Sequence, residues 1–222
     1  MSEKFWIAFG DVHENTSIIH KIKDIREASG VLVSGDLTNV GGMARAAAII
    51  DEIKALNRNV FAQIGNMDTR DVERYLDESG VNVHNRLISL LDDVYLLGLG
   101  YSTPTPFSTP SEVDETQVKH WLDGIQDKAA EAPHLIFMTH TPPYGTTTDR
   151  LSSGVSAGST AVRDFIEKVQ PGVCITGHIH EARSVDHVGK TRVVNPGILA
   201  RGGYVRISFD GRSLDAELRQ IK

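Results

Sequence analysis

The sequence is poor in cysteine, which bears on the compartment in which the protein works. Cys174 is the single cysteine among 222 residues, so no disulfide can form within the chain. It lies in an apolar run, GVCITG, where a small buried side chain is the expected role and a reactive thiol the alternative. A chain without disulfides is typical of a reducing compartment. We therefore expect a cytoplasmic protein.

The sequence also lacks a surplus of basic residues and a long apolar run. Lysine and arginine number 23 against 29 acidic residues, which gives a formal net charge of −6. Because extended nucleic acid requires a basic surface that neutralises its phosphates, we do not expect it as a partner. The apolar run near the N-terminus, in MSEKFWIAFGDVH, is too short to span a membrane and lacks a signal-peptide cleavage pattern. We expect no membrane partner either.

Apolar runs alternate with helical patterns along the chain, whose length predicts one domain over residues 1–222. The strands are predicted at FWIAFG, VLVSG, VFAQIG, YLLGLG, HLIFMTH and VCITG, followed by antiparallel strands at TRVVN, YVRISF and LDAELRQI. The helices are predicted at Ser17–Ala28, Met43–Leu56, near Asp71–Glu78, from near Asp114, and at Ala161–Val169. This order predicts a sheet, or a pair of facing sheets, with helices outside.

Polar side chains that can bind metal follow five of the predicted strands. They are Asp11 and His13 in FGDVH, Asp36 in SGDLTN, Asn66 in IGNMD, His140 in MTH, and His178 and His180 in TGHIH. Each alone has an ordinary explanation as a turn residue, a helix cap or a structural histidine. Together they fall where the carboxyl ends of strands face a common crevice, so groups far apart in sequence can converge.

The number of these groups indicates how many ions they would bind. Seven groups exceed what one tetrahedral ion uses, whereas two ions that share a bridging carboxylate would use them all. Imidazole and oxygen ligands without thiolate suit Mn, Fe, Zn or Ni better than Ca or Mg. The sequence therefore predicts two divalent transition-metal ions.

The segments GDVHEN, GDLTN, GNMD, THTPP and TGHIHE, in that order, resemble the sequence blocks of the calcineurin-like metallophosphoesterases. VVNPGIL at 193–199 is similar to a segment of small prokaryotic members. The resemblance implies a four-layer αββα sandwich of two mixed sheets, with a dinuclear metal site at the carboxyl edge of the strands. It implies that Asp11, His13 and His180 hold one ion, that Asn66, His140 and His178 hold the other, and that Asp36 bridges them.

The resemblance also implies a reaction: hydrolysis of a phosphoester by metal-activated hydroxide, with Asp11, Asp36, Asn66 and His140 acting through the bound metals. One position departs from the family pattern, because Met67 stands where members usually carry the histidine that protonates the leaving group. A thioether has no proton to give, so Met67 cannot be that acid. Asp68 and His84 are the alternative proton donors in the sequence.

The expected substrate is a small or nucleotide-like phosphoester. Two divalent ions, less two carboxylates and one hydroxide, leave about one positive charge, which matches a phosphodiester monoanion. Asn66, His140 and Ser159 are the candidate substrate contacts, Ser159 because it precedes a predicted helix. The polar loop from Tyr144 to Gly158 is a candidate substrate wall or lid. A catalytically weak interaction scaffold and a metal-dependent nuclease are the alternative functions.

Overall fold

Two mixed sheets pack face to face in the computed structural model, which describes residues 3–221. The strands are β1 (Lys4–Phe9), β2 (Val31–Val33), β3 (Val60–Ala62), β4 (Leu87–Ser89), β5 (Val94–Leu99), β6 (His134–Thr139), β7 (Val173–Ile175), β8 (Ser184–Val188), β9 (Thr191–Asn195), β10 (Gly203–Phe209) and β11 (Leu214–Gln220). The α-helices are α1 (Met43–Leu56), α2 (Arg70–Glu78), α3 (Glu115–Ala130) and α4 (Thr160–Val169). Short 3-10 helices lie at Ile19–Lys21, Thr147–Asp149, His180–Ala182 and Leu199–Arg201.

The strand order brings the ends of the central strands to one edge. The first sheet has the order β11-β10-β1-β2-β3 and the second the order β4-β5-β6-β7-β9-β8. Strands β1, β2 and β3 run parallel, as do β5, β6, β7 and β9. Phe9 at the end of β1 pairs with Val33 at the end of β2, which in turn pairs with Ala62 at the end of β3. These three strands therefore end level, and the loops that follow them start side by side.

Three apolar cores separate four layers. Side chains on β1 alternate between two of them: Ile7 and Phe9 face α1 and α2, whereas Trp6 and Ala8 face the second sheet. The third core packs α3 and α4 against the outer face of the second sheet, where the buried Cys174 lies. The four-layer αββα prediction is confirmed. None of the helices in residues 3–221 combines the length and apolarity needed to cross a membrane.

The predicted helix at Ser17–Ala28 is wrong, because only Ile19–Lys21 forms a short 3-10 helix there. The backbone amides in this segment mostly bond to carbonyls three residues back, and Asp24 has a φ of 62°, which a continuous α-helix does not allow. The apolar residues Ile19, Ile22 and Ile25 are buried against the first sheet all the same. The spacing of apolar residues therefore predicted correctly which side chains are buried, but it did not predict the backbone conformation.

Two edge strands, β4 and β8, were not predicted. Both are antiparallel additions to the second sheet and are only partly buried, so their sequences lack a clear apolar pattern. Helix α1 has the predicted bounds, and α2 and α4 begin within one residue of them. Long elements with one buried face were therefore predicted well, and short edge elements were not.

Candidate metal centre

The loops after five parallel strands place the predicted metal-binding side chains at one edge of the sandwich. Asp11 and His13 follow β1, Asp36 follows β2, Asn66 follows β3, His140 follows β6, and His178 and His180 follow β7. Four of these residues have positive φ angles: Asp11 at 48°, His13 at 47°, Asp36 at 50° and His178 at 69°. Residues other than glycine rarely adopt this conformation, and such strain concentrates at functional sites. The chain thus turns sharply where these side chains must converge.

A first donor group consists of Asp11, His13, Asp36 and His180, whose ligand atoms lie within 4.8 Å of one another. The Nε2 atoms of His13 and His180 are 3.1 Å apart. His180 Nε2 lies 3.2 Å from Asp11 Oδ1, and His13 Nε2 lies 3.6 Å from Asp36 Oδ2. Two imidazoles and two carboxylates therefore face a single point, where a divalent ion would fit.

A second donor group consists of Asn66, His140 and His178, again with Asp36. The Asn66 carboxamide oxygen lies 3.0 Å from His140 Nε2 and 2.7 Å from His178 Nδ1. Asp36 Oδ1 lies 3.5 Å from His140 Nε2, whereas its Oδ2 faces His13 of the first group. Asp36 thus offers one oxygen to each group, which is the geometry expected of a bridging carboxylate.

The donor set fits a pair of cations because unshared electron pairs face one another. His13 Nδ1 lies 2.7 Å from Asn39 Oδ1, and His140 Nδ1 lies 3.0 Å from the Ser34 carbonyl oxygen. An amide or carbonyl oxygen only accepts, so each Nδ1 donates its proton and leaves Nε2 free to bind metal. Such nitrogens facing a carboxylate or each other repel unless a proton or a metal ion lies between them. The residues of both groups are therefore suited to divalent ions.

The charges of the shared carboxylate and its neighbour are consistent with this fit. Burial acts to raise the pKa of Asp36, but the imidazoles of His140 and His13 outweigh it and lower that pKa to about 2. Burial acts to lower the pKa of His140, but Asp36 outweighs it and raises that pKa to about 9. Without a metal, a proton on His140 neutralises the carboxylate, and metal binding has to displace that proton.

The orientation of Asn66 is set by a residue that the sequence did not suggest. Asn66 Nδ2 donates to Thr109 Oγ1 over 3.0 Å, and Thr109 Oγ1 donates to Glu112 Oε1 over 2.6 Å. Because the Thr109 hydroxyl proton is held by Glu112, its oxygen accepts from the Asn66 amide, which fixes the carboxamide oxygen toward His140 and His178. Thr109 lies in a Pro-rich segment, Thr103–Pro110, in which the sequence carries no metal-binding pattern.

Met67 contributes to the site through its backbone as well as its side chain. Its amide N–H donates to Asp36 Oδ1 over 2.8 Å and so holds the bridging carboxylate. Gly65, two residues earlier, allows the same close approach, because a Cβ atom there would lie 2.1 Å from Asp36 Oδ1. Only glycine fits at that position. The Met67 side chain, by contrast, lines the open cleft beside the metal groups.

Neither alternative proton donor lies in that cleft. Asp68 is fully buried and accepts hydrogen bonds from the amides of Leu37, Thr38 and Gly65, which ties the loops after β2 and β3 together. Burial and the nearby Asp36 charge raise the pKa of Asp68 to about 6. His84 accepts a bond from the Gly100 amide, and burial lowers its pKa to about 4. Both side chains have structural positions, and neither lines the cleft.

Ser159 does not lie in the cleft either, which corrects its assignment as a substrate contact. Its side chain is fully buried and caps α4 by accepting from the Val162 amide over 3.1 Å. The hydroxyl donates to Glu115, and the amides of Thr160 and Ala161 also donate to that carboxylate. A carboxylate of the protein therefore already occupies the helix N-terminus where a phosphate oxygen was expected.

The donor groups open into a cleft of about 730 Å³. Its lining is His13, Asp36, Val40, Asn66, Met67, Thr103, Pro104, Thr105, Pro106, Phe107, Thr109, Leu151, Ala157, His178, Ile179, His180 and Glu181. Of the predicted substrate wall at 144–158, Leu151 and Ala157 reach this lining. Arg150, Arg163 and Arg183 bond to Gly154, Glu167 and Arg219 and do not line the cleft. The lining in the described residues 3–221 contains no lysine or arginine.

Comparison with known proteins shows the family. The sequence profile of the calcineurin-like phosphoesterases matches residues 7–182, so the chain belongs to that family. The uncharacterized protein MJ1162 of Methanocaldococcus jannaschii is 30% identical over 182 residues, which cover 79% of this chain and 80% of that protein. The family and the Asp/His group make the chain a metal-dependent phosphoric ester hydrolase with a dinuclear divalent metal site.

Solved structures share the fold at low sequence identity. TT1561 of Thermus thermophilus superposes with a TM-score of 0.75 at 18% identity over all of both chains. A dimetal phosphatase from Danio rerio superposes with a TM-score of 0.60 at 12% identity over 99% of each chain. Purple acid phosphatase PPD1 from yellow lupin has a TM-score of 0.58 at 13% identity, covering 99% of this chain and 52% of that one. At these identities the likeness concerns the fold.

Proposed function

We propose that this chain is a phosphodiesterase that hydrolyses small or nucleotide-like phosphoesters without a side-chain general acid at position 67. The observation that carries the proposal is the lining of the cleft: Met67 faces it without a transferable proton, and no lysine or arginine lines it within residues 3–221. A phosphomonoester dianion has one more negative charge to neutralise than a diester. A cleft without cationic side chains therefore favours the diester.

The residues of the cleft have separable tasks in this reaction. When bound, two divalent ions supply an activated water and stabilise charge on the phosphoryl oxygens. Asp36 keeps the two donor groups together, and the Met67 amide holds its Oδ1 in place. Asn66 lines the cleft and would help to orient the phosphoryl group, and Thr109 keeps the Asn66 oxygen turned toward His140 and His178. His140 is fully buried and would act through the bound metal. The seven metal-binding roles and the cytoplasmic location remain predictions.

The consequence for catalysis is a steep dependence on the leaving group. The one carboxyl or imidazole in the lining outside the two donor groups is Glu181, in the part of the chain the structure describes. Hydrogen bonds from the Ser152 backbone, and then from its own backbone, lower the pKa of Glu181, so it is ionised at neutral pH and holds no proton to give. General acid assistance is worth roughly 10²–10⁴-fold for a poor leaving group and little for a stabilised anion. Alkyl esters should therefore react far more slowly than nitrophenyl esters.

The test is kcat/KM for a series of diesters of graded leaving-group pKa, in the wild type, Met67→His and Met67→Leu. Histidine places an imidazole with a near-neutral pKa at that position, so alkyl esters should gain most and a nitrophenyl ester little. The gain should fall at a pH that deprotonates the new imidazole. Leucine conserves volume without a proton and should leave the slope unchanged.

Parallel plots of equal slope for the wild type and Met67→His would contradict the missing-acid proposal. The substrate preference is tested separately with an aryl phosphodiester and the matching aryl phosphomonoester, on protein loaded with Mn. Faster hydrolysis of the monoester would contradict the diester proposal. Failure to hydrolyse either ester would favour the interaction-scaffold alternative instead.

A further inference from the structure

Two exposed apolar side chains line the cleft beside the metal groups. The large apolar residues exposed in residues 3–221 are Val40, Phe107, Tyr144 and Val155. Val40 and Phe107 line the cleft, with Phe107 84% exposed. A single exposed apolar side chain needs no explanation, but an apolar surface that adjoins a reaction site is typical of a substrate pocket.

Other apolar residues line the same cleft as Val40 and Phe107. We define the apolar lining of the cleft by its residues Val40, Met67, Pro104, Pro106 and Phe107. Val40 is joined to the metal centre by a bond from its amide to the Met67 carbonyl oxygen over 3.0 Å. The apolar lining therefore continues directly from the residue that holds the bridging carboxylate.

The position of Phe107 is fixed by its loop rather than by packing of its ring. The Thr105 hydroxyl, the Thr109 amide and the Thr109 hydroxyl all donate to Glu112 Oε1, over 2.6, 2.7 and 2.6 Å. The Phe107 amide donates to Thr105 Oγ1 over 3.2 Å. Prolines on both sides of Thr105 further restrict the backbone. Because the loop backbone is already held in this way, a ligand that covers the ring has to restrict only the rotation of the side chain.

The charge of the cleft lining indicates which substituents the substrate can carry. Glu181 is the charged lining residue outside the donor groups, and the three nearby arginines bond to backbone or glutamate oxygens elsewhere. A second phosphate on the substrate would find no cationic side chain among the described lining residues. An uncharged substituent meets no such penalty.

We propose that the apolar lining binds an uncharged aromatic ring carried on one ester arm of the substrate, with Phe107 stacking on that ring. This inference rests on the proposed phosphodiesterase function and names its substrate class. Aromatic groups bury large area and prefer stacked or edge-to-face contact with other rings, which an exposed phenyl ring offers. The ring is either an aryl group or a nucleobase, which have the same stacking chemistry.

Binding of single-arm analogues to the Mn-loaded protein, measured by calorimetry, tests the proposal without requiring turnover. Phenylphosphonate is compared with methylphosphonate, and uridine 5′-monophosphate with ribose 5-phosphate. We expect the aromatic member of at least one pair to bind roughly tenfold more tightly. Preference within the first pair alone identifies an aryl arm, and preference within the second identifies a nucleobase.

Phe107→Ala should abolish the preference while leaving the affinity for the non-aromatic partner unchanged. Because Phe107 is exposed, its removal does not threaten the fold. Tyr144→Ala is the matched control, since that exposed ring does not line the cleft. Equal affinity within both pairs, or a preference that survives Phe107→Ala, overturns the inference. Hydrolysis of bis(4-nitrophenyl) phosphate is measured separately, and its absence alone would contradict the phosphodiesterase proposal rather than the binding of the ring.

Discussion

The two donor groups have similar chemistry but different surroundings. In the first group the His180 side chain is 35% exposed and that of His13 is 14% exposed, and the partner of His13 is the side chain of Asn39. In the second group His140 is fully buried, and its partner is the backbone carbonyl of Ser34. We call the first group the open group. The second group reaches the cleft through Asn66 and His178, but its His140 lies wholly inside the protein, and we call it the enclosed group.

This difference indicates a division of labour between the groups. Electrostatic attraction is stronger where water is excluded, and ligands already oriented by fixed neighbours lose less entropy on binding. We expect the enclosed group of Asn66, His140 and His178 to hold its ion more tightly, and the open group to exchange its ion more readily. The predictions below test this comparison.

Loss of the shared carboxylate should weaken metal binding in both groups and so remove the difference between them. Asp36→Asn removes one negative charge from both groups, so metal content should fall below one ion per chain. Activity should drop roughly 10³-fold, which corresponds to several kcal/mol of lost stabilisation. Elemental analysis and kcat/KM measure the two effects, with Asp51→Asn on the exposed face of α1 as the control. Retention of two ions in Asp36→Asn would mean that the carboxylate does not bridge.

Replacing one histidine at a time should show which ion each histidine binds. His180→Ala should weaken the ion shared with Asp11 and His13, whereas His178→Ala should weaken the ion shared with Asn66 and His140. Because His178 belongs to the enclosed group, its removal should cost more total metal affinity. Metal occupancy in crystals of both variants gives the answer. The same ion lost in both would contradict the assignment.

A smaller effect is expected when Asn66 of the enclosed group loses the residue that orients it. Thr109→Val keeps the shape of the side chain but removes the acceptor for Asn66 Nδ2, so the carboxamide can turn its nitrogen toward the metal. We expect the affinity of the enclosed group for its Mn ion to fall about tenfold, as is typical when a ligand loses its orienting partner. Thr105→Val is the matched control, since Thr105 also bonds to Glu112 but the structure gives it no bond to Asn66. Equal losses in the two variants would point to the loop rather than to Asn66.

The last prediction concerns a buried histidine outside both groups. Burial, followed by the charge of Arg86, lowers the pKa of His84 from 6.5 to about 4. Between these values the unfolded chain binds more protons than the folded one, so the contribution of His84 to stability is complete above pH 6.5 and is lost as the pH falls toward 4. Urea unfolding of metal-free wild type and His84→Gln should differ in pH dependence by up to about 1.4 kcal/mol per pH unit. Identical pH profiles would mean that burial does not lower the pKa of the His84 imidazole.

Sequence patterns predicted the parts of the fold that depend on neighbouring residues. The apolar runs before Asp11, Asp36 and His140 are buried strands, and Met43–Leu56 is a helix with the predicted bounds. The segment Ser17–Ala28 was mispredicted because its apolar spacing suits either a helix or a chain of tight turns, and contact with the first sheet decides between them. Ser159 was misassigned because nothing near it in sequence indicates that Glu115 reaches its helix.

The sequence by itself therefore determined which side chains can bind metal and that they follow strands, since a run of apolar residues ending in glycine and a polar residue is a local pattern. Only the tertiary structure decided how the donors divide into an open and an enclosed group. It also decided that Thr109, 43 positions from Asn66, orients the carboxamide, and that Phe107 stands exposed at the same cleft. These features depend on which loops meet at the sheet edge, and that is set by the packing of two sheets rather than by any short stretch of chain.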